Sequence, residues 1–360
     1  MEKQNISSAS FFIGKQGEGI ISFGSGQPDL PPPKEVYSIY EKAPKIFRYG
    51  LIQGEENLRQ ALSKEHMGAH FDQFVITNGG SEALDLVFRV IAGQMKGGKV
   101  LLPRPYYYSY LPIIQFAGLK PVFTELVDGK IDIDDVRQKI KGCVAFLLNS
   151  PSNPTGRAQA PEIIQEIELL TKEAGAYLVA DEVYKDLVYD GTHYSPKGNH
   201  VITIDSFSKT FALCGLRVGF IYTANKKIIE SVVEMKVHTS MNTNLLAQEM
   251  ALGALRAPKS FIDNQREIWR GRRDVIYQGL KDLGFDLWKP EGAFYVFPKV
   301  KDPEKIVSDL FYDHKVIVYN GSWFGAPDRI RLSYALDTDK IQEGLRRIET
   351  YLKSEPGILS

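Results

Sequence analysis

The sequence predicts an α/β fold in which a mostly parallel central sheet is sandwiched by helices, with a smaller α+β domain beside it. Three observations lead there. Short β-rich apolar runs alternate with longer helical patterns, several runs are apolar throughout, and the texture changes after about residue 225. The runs are Phe74–Thr77, Val100–Leu102, Pro121–Phe123, Val144–Leu148, Tyr177–Ala180, Val201–Ile204 and Val218–Tyr222. Strands apolar on both faces belong to a sheet that helices cover on both sides. A helical stretch over Ile262–Leu283 and strand-like segments at Ala293–Phe297 and Arg329–Tyr334 form the expected second unit.

Near the N-terminus, GSGQPDLPPP at residues 24–33 must be loop or extended chain, because proline lacks the N–H that a helix interior needs. It reads as a crossing between two bodies. The expected division is a large domain over residues 34–280 and a small domain made from residues 1–33 together with 281–360.

Composition narrows the function classes. The 360 residues are 43% hydrophobic, enough for a large core, and basic and acidic residues balance at 44 each. No field of one sign is available to gather nucleic acid or an anionic membrane. Cys143 and Cys214 make neither a disulfide framework nor a zinc pattern, and the six histidines lack metal-ligand spacing, so no metal is expected. No apolar run has the length of a signal segment or a membrane span, and a soluble, cytoplasmic protein is expected.

The chemistry gathers at strand ends. In open α/β sheets ligands bind outside the carboxyl ends of the strands, and there the sequence carries Asn78-Gly79-Gly80-Ser81, Asn149-Ser150, Asp181-Glu182 and Asp205-Ser206. All four are expected to face one site. The most specific segment is DSFSKTFALCGLRVGF at residues 205–220, where Lys209 follows an apolar strand inside a small hydroxyl-bounded turn. Most lysines are solvated. A partly buried one has its ammonium form disfavoured and becomes an amine nucleophile toward an aldehyde. Ser206, Ser208 and Arg217 are positioned to bind a phosphate beside it. Asp181 ends an apolar strand, where a carboxylate either caps the next helix or meets a cation. Gly80 and Ser81 precede an amphipathic helix whose N–H groups and dipole suit an anion, although capping alone explains many such sequences. The tyrosines of PRPYYYSY, residues 103–110, are either interior packing or a stacking surface.

The 205–220 segment, NSPSNPTG at 149–156 and DEVY at 181–184 together resemble the fold type I, class I/II aminotransferases, from about Gly24 to Ala335. The resemblance implies a large domain that binds pyridoxal 5′-phosphate, with Lys209 as the residue forming the internal aldimine and later moving the Cα proton. It implies that Asp181 protonates the ring nitrogen, that Tyr184 and Asn153 meet the cofactor O3′, and that Tyr107 stacks on the ring. Gly80, Ser81, Ser206, Ser208 and Arg217 would hold the phosphate. Tyr49 resembles the tyrosine that reaches the neighbouring subunit's phosphate, which implies a homodimer. Arg331 resembles the arginine that binds the substrate α-carboxylate, with Asn153 assisting, and this leaves Arg329 for the solvated face. Gly26 would let backbone approach the substrate closely.

The implied reaction is ping-pong transfer of an amino group from an L-amino acid to a 2-oxo acid. Aspartate and aromatic amino acids are the favoured donors, and 2-oxoglutarate is the default acceptor. PLP-dependent lyases and synthases share the scaffold, the lysine and the aspartate, and fold cannot separate them. A non-catalytic sensing relative is a further alternative, which the filled cofactor positions disfavour.

Overall fold

The computed structural model describes residues 6–15, 17–41, 49–66, 68–95, 97–355 and 357–359. Each of the seven apolar runs becomes a strand of one eight-stranded sheet. Its spatial order is Phe74–Thr77, Gly219–Tyr222, Val201–Ser206, Tyr177–Asp181, Cys143–Asn149, Lys99–Arg104, Lys120–Val127 and Lys130–Ile131. The pairings from Val201–Ser206 through to Lys120–Val127 are parallel. Gly219–Tyr222 runs antiparallel to both neighbours, and Lys130–Ile131 forms a short antiparallel edge.

Helices cover both faces, which explains the continuous apolar runs. Along Cys143–Asn149, Ala145 and Leu147 point to one side, against Leu86, Ile91 and Val232 of the helices Gly79–Gln94 and Lys226–Val237. Phe146 and Leu148 point to the other, against Val136, Ile164 and Ile167 of Ile133–Lys139 and Pro161–Glu173. This is the period of two that a pleated strand imposes. Each of the larger side chains among them contributes about 1.5–3 kcal/mol on burial.

A second core gathers Phe12 and Phe23 from the N-terminal segment with Ile317, Leu332 and Ile348 from the C-terminal part. It is framed by a three-stranded antiparallel sheet, Tyr295–Val296, Ile330–Ser333 and Tyr319–Asn320, and by Ile21–Ser22 paired in parallel with Val316–Ile317. The helix expected over Ile262–Leu283 runs over Lys259–Asp282. The strand expected at Ala293–Phe297 is shorter, because Ala293 takes a left-handed φ of 55° that interrupts the extended run. Arg329 departs from its expected place on the solvated face. It is 6% exposed, donates to the Phe297 carbonyl and stacks on Trp288 with its guanidinium carbon 3.8 Å from the ring centroid. Among the described residues no helix is long and apolar enough to cross a membrane.

One ion pair ties the helix Lys226–Val237 to the first turn of the helix Gly79–Gln94. The Lys236 side chain is fully buried and its Nζ lies 3.1 Å from both Glu82 Oε2 and Ser240 Oγ, while Glu82 Oε2 also accepts from the Asn78 backbone N–H at 2.6 Å. Lys236→Met strands the Glu82 carboxylate without its cation. Urea unfolding is expected to register a loss of about 3 kcal/mol; a loss within about 0.5 kcal/mol, the range of ordinary surface substitutions, would contradict the anchoring role.

Candidate active site

A cavity of about 460 Å³ opens at the carboxyl ends of the large sheet, bounded on its far side by the N-terminal segment and the small sheet. Its floor starts with Lys209. Val201–Ser206 ends in Ser206, whose hydroxyl accepts from the Ser208 N–H at 3.2 Å and starts the single turn Phe207–Thr210. That turn carries Lys209 into the cavity, where Nζ donates to the Gly26 carbonyl at 2.7 Å. Burial lowers the Lys209 pKa below the ordinary 10.5, and the Arg331 and Arg217 charges push the same way against Cys214 and Asp181.

Beside the lysine lies an anion cradle. Gly80 and Ser81 line the cavity in the first turn of the 16-residue helix Gly79–Gln94. Ser206 and Ser208 line it from the opposite element, their hydroxyls 3.0 Å apart. Arg217 completes the cradle from a left-handed residue, φ 55°, at the end of a short turn. Gly79 is the residue that sequence reading left without a role. Its φ is +78°, and a Cβ there would sit 2.4 Å from the Arg217 guanidinium, so only glycine lets that side chain lie across the helix start.

Asp181 sits at the end of its strand, 5% exposed. Burial pushes its pKa up to about 6, opposed by Tyr110, whose hydroxyl donates to Oδ2 at 2.6 Å, by the Val183 N–H and by the charge of Lys209. Tyr110 lines the same cavity, and nothing in PRPYYYSY, where the resemblance selects Tyr107, pointed to it. Tyr107 lines the cavity edge-on to Tyr110, with ring centroids 5.4 Å apart.

A hydrogen-bond chain runs from Asp181 to Arg331. Asn149 Nδ2 donates to the Asp181 carbonyl at 3.0 Å, Asn149 Oδ1 accepts from the Asn153 N–H at 2.9 Å, and Asn153 Oδ1 accepts from Arg331 at 2.9 Å. Arg331 also donates to the Gly24 carbonyl, and its Nε is buried with no partner. Tyr184 meets the Tyr295 hydroxyl at 2.7 Å, and the Tyr295 ring lies 4.7 Å from the Arg331 guanidinium carbon. Tyr295 had no distinguishing sequence motif. Gly26 fits against it: a Cβ at residue 26 would come within 2.2 Å of its hydroxyl oxygen.

Three of the strand-end residues expected at this site face elsewhere: Ser150, whose hydroxyl accepts from the Gln159 N–H at 2.9 Å, Glu182 and Asp205. Glu182 accepts from Ser195 at 2.9 Å and meets His193 at 3.0 Å, and Asp205 pairs with Lys185 at 2.6 Å; both line a separate cavity of about 350 Å³. Strand alternation explains the split at Asp181, which occupies the opposite pleat from Glu182, while Ser206 borders both cavities. Tyr49 lies outside the cavity and is 80% exposed.

Comparison with known proteins decides the family. The model of the aminotransferase class I and II family matches residues 18–348. This chain belongs to that family. It is 33% identical to a probable aspartate/prephenate aminotransferase of Aquifex aeolicus, over 94% of this chain and 92% of that one. It is 32% identical to aromatic-amino-acid aminotransferase 2 of Thermococcus litoralis, over 94% and 93%. The Thermus thermophilus aspartate aminotransferase solved with maleate superposes with a TM-score of 0.90 at 29% identity, covering 95% of this chain and 94% of that one. The aminotransferase family uses pyridoxal phosphate.

The residues present suit that group. An amine of lowered pKa, a cradle of hydroxyls and helix N–H groups with an arginine, a buried carboxylate, and a second arginine with one unpartnered guanidinium nitrogen line one cavity. Removing the Tyr110 hydroxyl moves the Asp181 pKa further above about 6, so more of that carboxyl is protonated near neutrality. Tyr110→Phe is therefore expected to weaken cofactor retention about tenfold near pH 6, with the deficit closing at alkaline pH. Dialysis of loaded protein against buffers of stepped pH measures this, and a pH-independent deficit would contradict it.

Proposed function

We propose that this aminotransferase holds pyridoxal 5′-phosphate at Lys209 and moves an amino group from an L-amino acid, aspartate or an aromatic one, to a 2-oxo acid such as 2-oxoglutarate. The observation that carries the proposal is one cavity containing a depressed-pKa lysine amine, a buried carboxylate and a buried guanidinium nitrogen without a partner. When bound, the cofactor supplies an aldehyde carbon for the amine and a ring that accepts electrons. Asp181 would hold a proton at the ring nitrogen, a positive partner for a carboxyl whose pKa burial raises to about 6.

Gly80, Ser81, Ser206, Ser208 and Arg217 would bind the phosphate, Tyr184 and Asn153 would donate toward the ring oxygen, and Tyr107 would pack on the ring. Arg331 grips the substrate α-carboxylate through Nε and one terminal nitrogen, which fixes where the Cα hydrogen points. Lys209 would serve as the base that removes that hydrogen and, as the acid, would deliver it to the cofactor carbon beyond the shared nitrogen.

The same reading includes a homodimer in the cytoplasm, with the exposed Tyr49 reaching the neighbouring subunit's phosphate. It includes the division into residues 34–280 and the combined 1–33 and 281–360, which is supported by the pairing of Ile21–Ser22 with Val316–Ile317. Lys209→Ala is expected to abolish the visible absorbance of lysine-bound cofactor and to lower turnover by at least about 10⁴-fold, since it removes both nucleophile and proton carrier. Product analysis with and without a 2-oxo acid completes the test. Sustained ammonia release without an acceptor would sink the amino-transfer reading while leaving the cofactor reading intact.

A further inference from the structure

We infer that Lys185 and Asp186 are positioning residues: together they clamp both ends of the Lys209 turn to the element that carries Asp181, and so set where the Lys209 amine stands relative to that carboxylate. The inference rests on the roles proposed above for Lys209 and Asp181.

The Lys209 turn cannot hold its own position. Phe207–Thr210 is four residues long, and a single helical turn fixes several dihedral angles for very few hydrogen bonds, so such a turn does not persist by itself. Its placement comes from what its ends are tied to. At the start, the Asp205 carboxylate accepts the Ser206 N–H on Oδ1 at 2.7 Å and meets Lys185 Nζ on Oδ2 at 2.6 Å. At the finish, the Thr210 hydroxyl donates to Asp186 Oδ2 at 3.1 Å. Lys185 and Asp186 open the short turn Lys185–Leu187 just beyond Asp181, where the Lys185 N–H donates to the Glu182 carbonyl at 2.9 Å. Arg266 steadies the same dipeptide from the helix Lys259–Asp282, donating to the Asp186 carbonyl at 2.6 Å. Two adjacent side chains thus grip the strand end before Lys209 and the residue after it.

Stability alone does not explain the charged half of this clamp. The Lys185 and Asp205 side chains are 19% and 8% exposed, and a buried ion pair returns little beyond what desolvation removes, so an uncharged pair of similar volume supports a fold about as well. What the charges add is direction. One Asp205 oxygen faces the ammonium and the other the Ser206 N–H, which leaves one position for the backbone from which the turn starts. Burial pushes the Asp205 carboxyl up to about 6 against the opposing Lys185 charge, so the carboxylate is ionised at neutral pH. Such precision matters at a reacting amine, where a displacement of about 1 Å costs on the order of 100-fold in rate.

Two variants separate positioning from support of the fold. Lys185→Met combined with Asp205→Asn removes the charges as a pair and leaves an amide oxygen for the Ser206 N–H; Thr210→Val removes the second grip at nearly constant volume. Pyridoxal phosphate is added to each purified protein and the rise of lysine-bound absorbance is timed. The loaded protein is then mixed with aspartate or phenylalanine, the loss of that absorbance is followed over a single turnover, and urea unfolding is measured alongside. The urea midpoint is expected to stay within about 0.5 M of wild type. Cofactor attachment should slow about tenfold, and the limiting single-turnover rate should fall about 10–100-fold in the paired substitution and about fivefold in Thr210→Val. The half-saturating donor concentration should stay within about twofold, because Arg331 is held by other elements. Rates within about twofold of wild type in either variant, a rate loss that follows a fall in urea midpoint, or a change confined to the half-saturating concentration each overturns the inference. Wild-type protein without lysine-bound absorbance overturns the proposed function instead, and the inference falls with it.

Discussion

The costliest group in this structure is the Asp181 carboxylate, held 5% exposed where a strand of a two-sided covered sheet ends. Left alone, a buried charge of that kind costs several kcal/mol. Its surroundings answer that cost only partly: Tyr110 and the Val183 N–H donate to it, Lys209 faces it, and its pKa still lies well above the ordinary 3.8. The carboxylate therefore remains short of one positive partner. A protonated ring nitrogen is such a partner, which makes an unfavourable burial in the protein alone a favourable contact in the proposed complex.

From Asp181 the constraint passes to the rest of the site through atoms that have two tasks each. Asn149 holds the Asp181 backbone with its amide nitrogen and the Asn153 backbone with its oxygen; Asn153 in turn orients Arg331. Arg331 arises from the small antiparallel sheet, and Gly24 and Gly26 come from the N-terminal segment that joins the same core. The cavity is thus closed between two separate hydrophobic cores, and neither contains a full set of chemical groups. Arg331 also shows why the aromatic surroundings matter. Tyr295, Tyr319 and Phe324 rings stand between 4.7 and 4.8 Å from its guanidinium carbon, which keeps water away while the ring faces favour the cation.

How much of this could be read from the chain depended on whether the cause was local. The strands were legible because burial on both faces leaves continuous apolar runs. Lys209, Asp181 and the glycine-rich helix start were legible because strand-end chemistry is written in adjacent residues. Arg329 was not: whether an arginine two residues from Arg331 is solvated or stacked on Trp288 depends on a segment about forty residues away, and the alternation that sends Arg331 inward gives no warning of it. Tyr110 and Tyr295 were hidden for a related reason, since their partners Asp181 and Tyr184 lie far off in sequence. Asp205 and Glu182 looked like site residues by position and face the second cavity by pleat, a one-residue distinction that motif spacing does not resolve.

The central claim is that Lys209 is the attachment point around which the other groups are arranged. It is tested most directly by adding pyridoxal phosphate to the purified protein, reducing with borohydride, and locating the covalent label by peptide mass spectrometry. One label per chain, on the peptide carrying Lys209 and dependent on Asp181, is the result these interactions require. A label spread over surface lysines, or seated on the buried Lys185 or Lys236, would contradict it.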